Sequence, residues 1–349
     1  MRRADGNPGG KLNANPGAKS NGKQRAEKQM VPDAEFTSYY GRPVVKEVVW
    51  KAPDVPGYLF LGGLAGASSA LAAGAQLSGY PELARAAKAG AAGAISLSVV
   101  ALVHDLGRPA RFLNMLRVFK VTSPMSVGSW ILSAYAPAAL AAAASAVTGK
   151  LPRAGLAATA GAGVLGPAVA AYTAVLLSNT AVPAWHEAQR ELPYLFVGSA
   201  ATAAGGLGLL VIAPERAGPA VRLALLGAVT ELYSERALAW RLGSTAEPYQ
   251  TGKSGALMRT GQVLAAGGAA LAFLTARRFG AGGSGGVVPS GGNGRRNRAA
   301  SALSGAMLLA GSAVTRFGVF EAGRASARDP KYTVGPQRER IRQRAGPPT

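Results

Sequence analysis

The chain has 349 residues, of which 48% are hydrophobic and only 16% charged, where a soluble globular domain carries about a quarter charged. It has no cysteine, which excludes iron–sulfur ligation, c-type haem attachment and thiol redox chemistry within this chain. The net charge of +21 does not call for nucleic acid, because basic segments beside a membrane are drawn to anionic headgroups.

Residues 1–38 are basic and rich in Gly and Asn, with no apolar stretch able to act as a signal peptide, and are expected to form a disordered tail. Residues 39–323 then carry the runs that decide the fold class. Spanning a hydrocarbon core roughly 30 Å thick takes about 20 apolar helical residues. Residues 55–81, 121–149, 154–185 and 192–214 contain no ionisable acid or base and predict four spans. Residues 89–103, 260–276 and 299–315 are shorter uncharged runs, bounded by charges that can snorkel to the headgroups, and predict three more. Residues 217–240 predict an eighth, although Arg222, Glu231, Glu235 and Arg236 interrupt it. Glu231 and Glu235 stand four residues apart on one helix face, which makes them candidate intramembrane carboxylates turned into the bundle or a polar cavity. Residues 279–294 form a Gly- and Ser-rich loop, and residues 324–349 a basic C-terminal tail. The expectation is an all-α integral membrane bundle of about eight transmembrane helices, arranged as two four-helix halves. Small residues such as Gly62, Gly63 and Gly66 in the first span, and Gly161, Gly163 and Gly166 in the fourth, predict close backbone approach.

With eight spans both termini share a face. That face collects 27 of the 38 Lys and Arg residues, counting the tail from Arg316 onwards, against 11 on the other. The positive-inside rule then predicts cytoplasmic termini and a multi-pass protein of the cell membrane.

Two histidines, His104 and His186, could supply at most one bis-His haem, and both fall at the ends of even-numbered spans on the same side. A helix-end histidine is as often a hydrogen-bonding residue at headgroup level. The densest polar segment is His104-Asp105-Leu106-Gly107-Arg108-Pro109, followed by Arg111, Arg117 and Lys120. An acid and an imidazole at a helix exit can relay protons. The same residues also read as a plain positive-inside loop.

Several ordered motifs resemble the NrfD family, the membrane subunits of polysulfide reductase type. Tyr39-Tyr40-Gly41-Arg42-Pro43 leading to Tyr58-Leu59-Phe60-Leu61-Gly62-Gly63 is similar to its amino end and first span. The run from Asp105 to Phe112 and on to Trp130 is similar to its second-to-third connection. Tyr172-Thr173, Leu176-Leu177-Ser178, Pro183 and Trp185, then Pro193, Phe196 and Ser199, are similar to its fourth and fifth spans. The likeness covers residues 39–206 and weakens after them.

The resemblance implies an eight-helix subunit that binds menaquinone or ubiquinone. It also implies electron exchange with a ferredoxin-like iron–sulfur subunit, which serves a molybdopterin-type catalytic subunit. Tyr172 matches the family's quinone-contacting tyrosine. Asp54 and Tyr58 stand where relatives place Asn and His at the mouth of the first span. These three are the expected quinone-binding residues. Asp105 is the expected proton-relay carboxylate, with His104 beside it and Arg108 modulating its charge. No haem or iron–sulfur cluster is expected in this chain, and proton translocation is compatible with the arrangement. A b-type cytochrome subunit and a secondary transporter with broken helices remain the rival readings.

Overall fold

The computed structural model describes residues 44–106, 114–280 and 292–345. The expected N-terminal tail, the Tyr39–Pro43 motif, Arg108 and most of the Gly-rich loop lie outside them.

The described residues are helical and contain no strand. In chain order the helices are α1 (Asp54–Leu77), α2 (Pro81–Leu106), α3 (Pro124–Thr148), α4 (Pro152–Ser178), α5 (Pro183–Glu187) and α6 (Leu192–Val211). They continue with α7 (Gly218–Leu242), α8 (Glu247–Gln250), α9 (Gly252–Gly280), α10 (Gly292–Arg328) and α11 (Lys331–Ala345). Proline opens α2, α3, α4 and α5 within the first turn, where its missing N–H removes one of the donors a helix start leaves unpaired. Ser123 caps α3 by accepting from the Ser126 amide, and Gly149 ends that helix at φ +67°, a left-handed conformation favoured by glycine.

Among the described residues, seven helices are long and apolar enough to cross a membrane: α1, α2, α3, α4, α6, α9 and α10. The expected eighth, α7, is a helix of 25 residues in the same bundle, but its charges make it too polar to qualify on composition. Residues 324–328 complete α10 rather than starting a tail, and α11 carries the basic segment after it.

The helices form two groups. In the first, α1 packs on α2 and α4, and α3 closes the ring between them. In the second, α6 packs on α7 and α10, and α9 closes the ring between those two. The groups join where α1 and α4 lie along α6 and where α1 meets α10. Helices α1 and α6 are accordingly two-thirds buried over their most apolar stretch, whereas α2, α3 and α9 are a third buried or less. The outward faces of these peripheral helices and of α4 expose Leu97, Val100, Val147, Leu156, Val164, Val263 and Leu274, a belt that lipid would cover.

Close approach replaces bulk in these interfaces. A Cβ on Gly66 of α1 would stand 2.2 Å from the Gly166 carbonyl oxygen of α4, and one on Gly166 would stand 2.2 Å from that of Gly66. The second group repeats the device, with Gly206 of α6 against Gly305 of α10. Gly163 belongs to the first crossing, 2.7 Å from the Ala73 methyl when given a Cβ. Gly161, expected in the same set, faces open space.

Candidate functional site

At the face where α1 begins and α2 and α4 end, an apolar core surrounds Trp185. Its ring is fully buried, its Nε1 donates to the Val319 carbonyl at 2.8 Å, and it stacks on Trp50 with ring centres 5.7 Å apart. Gly323 provides the space, since a Cβ there would lie 1.9 Å from the indole. This anchor ties the chain before α1 and the end of α10 to the α4–α6 connection.

Trp50 also borders a cavity of about 100 Å³ between α1, α2, α3 and α4, with Tyr58, Asp105, Ser129 and Tyr172 as polar lining and Met115 and Met125 at one side. Three of the sequence-predicted site residues therefore meet. Tyr58 is buried on α1, its backbone carbonyl accepting from Ser98 Oγ at 3.2 Å, within electrostatic range of both Tyr172 and Asp105. Tyr172 reaches the cavity because α4 ends at Ser178, six residues later, which puts the phenol about 9 Å below the helix end. Gly128 of α3 makes room for its ring; a Cβ there would lie 2.3 Å from the Tyr172 ring carbon Cε2.

Asp54 and His104 go elsewhere. Asp54 Oδ2 and His104 Nδ1 pair at 2.9 Å, joining the start of α1 to the end of α2. Neither lines the cavity. His186 faces the Ser178 carbonyl through Nδ1 at 3.1 Å. Among the described residues no three of His, Cys, Asp and Glu cluster as a metal site.

Glu231 and Glu235 are both buried in the second group, away from the cavity. The sequence reading missed their neighbour. Arg316, counted from sequence with the C-terminal tail, is 1% exposed and sits inside the bundle. Its Nη2 donates to the Phe196 carbonyl at 2.6 Å, and its guanidinium carbon stands 3.7 Å from the Phe196 ring centre. A single arginine closing an uncharged run looks like a headgroup anchor, and nothing local distinguishes the two fates.

The ends of the bundle carry the outward charges. Arg241 makes a bidentate pair with Glu191, Nε to Oε1 at 2.5 Å and Nη2 to Oε2 at 2.6 Å. Arg298 donates to the Leu210, Val211 and Ile212 carbonyls, satisfying the last turn of α6.

Comparison with curated proteins yields no match. A family model described as "Polysulphide reductase, NrfD" matches residues 44–219, which takes in α1 to α6 and the cavity and stops at the start of α7. The matched segment is just over half of the chain, and on this ground the chain belongs to the NrfD family.

Proposed function

We propose that the protein is the quinone-handling membrane subunit of a multi-subunit oxidoreductase, and that quinone docks in the cavity lined by Tyr58, Tyr172 and Asp105. The supporting observation is the meeting of two phenols and a carboxyl on three different helices around one apolar opening.

Reducing a quinone takes two electrons and two protons, so its site needs hydrogen-bond donors for the two carbonyl oxygens and a titratable group nearby. Tyr58 and Tyr172 are the donors and Asp105 the proton-relay carboxyl. His104, next in sequence and exposed at the same helix end, extends the relay towards water. The electrons come from, or return to, a ferredoxin-like iron–sulfur subunit docked on the face where the cavity opens, which in turn serves a molybdopterin-type catalytic subunit. The basic balance of that face, even without the buried Arg316, supports a reading in which it and both termini are in the cytoplasm of a plasma-membrane protein.

The cavity is smaller than the roughly 150 Å³ of a pocket that holds a benzene ring. A quinone head therefore enters with a side-chain shift, and the flexible thioethers of Met115 and Met125 can supply it.

The test is Tyr172→Phe in the assembled complex. Quinone-linked electron transfer should fall by about tenfold or more, the scale of a lost hydrogen bond to a reacting oxygen, while transfer from the partner subunits to an artificial dye is kept. An unchanged quinone-linked rate removes Tyr172 from the site.

A further inference from the structure

We propose that Glu231, Glu235 and Arg316 form a hydrated proton-binding site inside the second helix group, distinct from the aromatic cavity of the first. The proposal stands whether or not that cavity takes quinone, and its three charged residues lie outside the segment matched by the family.

Six polar atoms carry it. Both carboxyl oxygens of Glu231, both of Glu235, and Nε and Nη1 of Arg316 are buried without a hydrogen-bond partner. Ser199, Thr202 and Thr315 surround Glu231 together with Arg316, but each hydroxyl has one proton and spends it elsewhere. Ser199 donates to Ser312 Oγ at 2.8 Å, Thr202 to the Gly198 carbonyl at 3.0 Å, and Thr315 to the Gly311 carbonyl at 3.1 Å. Arg316 is itself held towards Phe196, so it faces Glu231 without bonding to it. Buried polar groups left over in this way are characteristically bridged by water, each molecule making about three hydrogen bonds.

Charge balance then sets the occupancy. Arg316 on α10 offsets one carboxylate. Glu235 is faced by Gln262 of α9 and, on its own helix, by the exposed Arg236. From α6 come Ser199 and Thr202, and from α1 Gly63, where a Cβ would stand 3.3 Å from Arg316 Nη2. Among the described residues the second carboxyl thus has no buried counter-cation, and it is neutral only with a proton on it. The i, i+4 spacing puts both acids on one face of α7, so one proton can pass between them through the bridging water. Glu231 lies about 20 Å from the start of α7 and about 16 Å from its end, midway through the bundle.

Infrared difference spectra of the purified protein in lipid nanodiscs, perfused alternately with acid and alkaline buffer in H2O and in D2O, test this. A buried-carboxyl C=O band should titrate, shift downward in D2O because water reaches the site, and be lost in Glu231→Gln/Glu235→Gln. The isosteric glutamines keep the volume, and an unchanged elution volume confirms a folded sample. A band that persists in the double variant, that ignores D2O, or that never titrates overturns the proposal. So does a band abolished at constant pH by added sodium, which would make this a cation site instead.

Discussion

The two helix groups use the same packing device and reach opposite ends. The first group crosses α1 over α4 at Gly66 and Gly166, and it opens at one face into a cavity whose three titratable groups come from α1, α2 and α4. The second crosses α6 over α10 at Gly206 and Gly305, and it buries two acids and an arginine. A glycine crossing therefore sets helix spacing but does not decide whether polar groups end at an open pocket or deep in the bundle. That depends on where the neighbouring helices stop. Helix α4 ends at Ser178, six residues past Tyr172, whereas α10 runs on to Arg328 beyond Arg316.

The largest expected effect breaks the shared device. Gly66→Ala or Gly166→Ala puts a methyl against the facing backbone carbonyl, which no rotamer change relieves. It should cost about 3 kcal/mol or more, read as thermal unfolding of the detergent-solubilised protein. Gly206→Ala should behave alike in the second group. Gly161→Ala is the control: its Cβ meets open space in the same helix as Gly166, and it should be neutral or stabilise by about 0.5–1 kcal/mol. Equal melting temperatures for Gly66→Ala and Gly161→Ala would remove the crossing from the account of stability.

Next in size comes the difference between the interiors. Arg316→Met leaves Glu231 without its buried counter-charge and should destabilise by about 3 kcal/mol, while Glu231→Gln added to it should recover most of the loss. Denaturant titration of the single and double variants measures the coupling. If the two changes simply add, the charges do not interact.

These expectations show where the sequence was informative. Apolar runs report lipid burial residue by residue, so α1, α3, α4 and α6 stand out in the bare sequence, whereas the uncharged run 154–185 hides the break between Ser178 and Pro183 that brings Tyr172 near a helix end. Pairings distant along the chain leave no local mark. Asp54 and His104 are fifty residues apart, and the arginine that meets Glu231 lies on another helix beyond a Gly-rich loop. Small-residue spacing also cannot say which glycine faces a neighbour, hence the misplaced Gly161.

A smaller effect sharpens the first group alone. Gly128→Ala should push the Tyr172 ring aside and lower quinone-linked turnover by about tenfold, because a displacement near 1 Å is enough to misplace a donor. The fold should survive, since α3 is peripheral and mostly lipid-facing. Turnover equal to the parent protein would mean that the ring position is not critical.

The smallest effect separates two neighbouring acids. Asp54 and Asp105 lie near the same face, and the resemblance assigned Asp54 to the quinone. Asp54 instead pairs with His104, whose side chain is 76% exposed, and only Asp105 lines the cavity. A hydrogen-bonded pair so open to solvent contributes less than about 1 kcal/mol. Asp54→Asn keeps the shape and one acceptor, so it should change stability and quinone-linked rate by less than about fivefold. Asp105→Asn removes the one carboxyl that lines the cavity among the described residues and should lower the same rate by about a hundredfold if that carboxyl moves the proton, with dye-linked partner activity kept. Steady-state quinol oxidation or quinone reduction by the two variants, side by side, decides which acid serves the cavity. A larger loss in Asp54→Asn would place the proton path through the Asp54–His104 pair and away from Asp105.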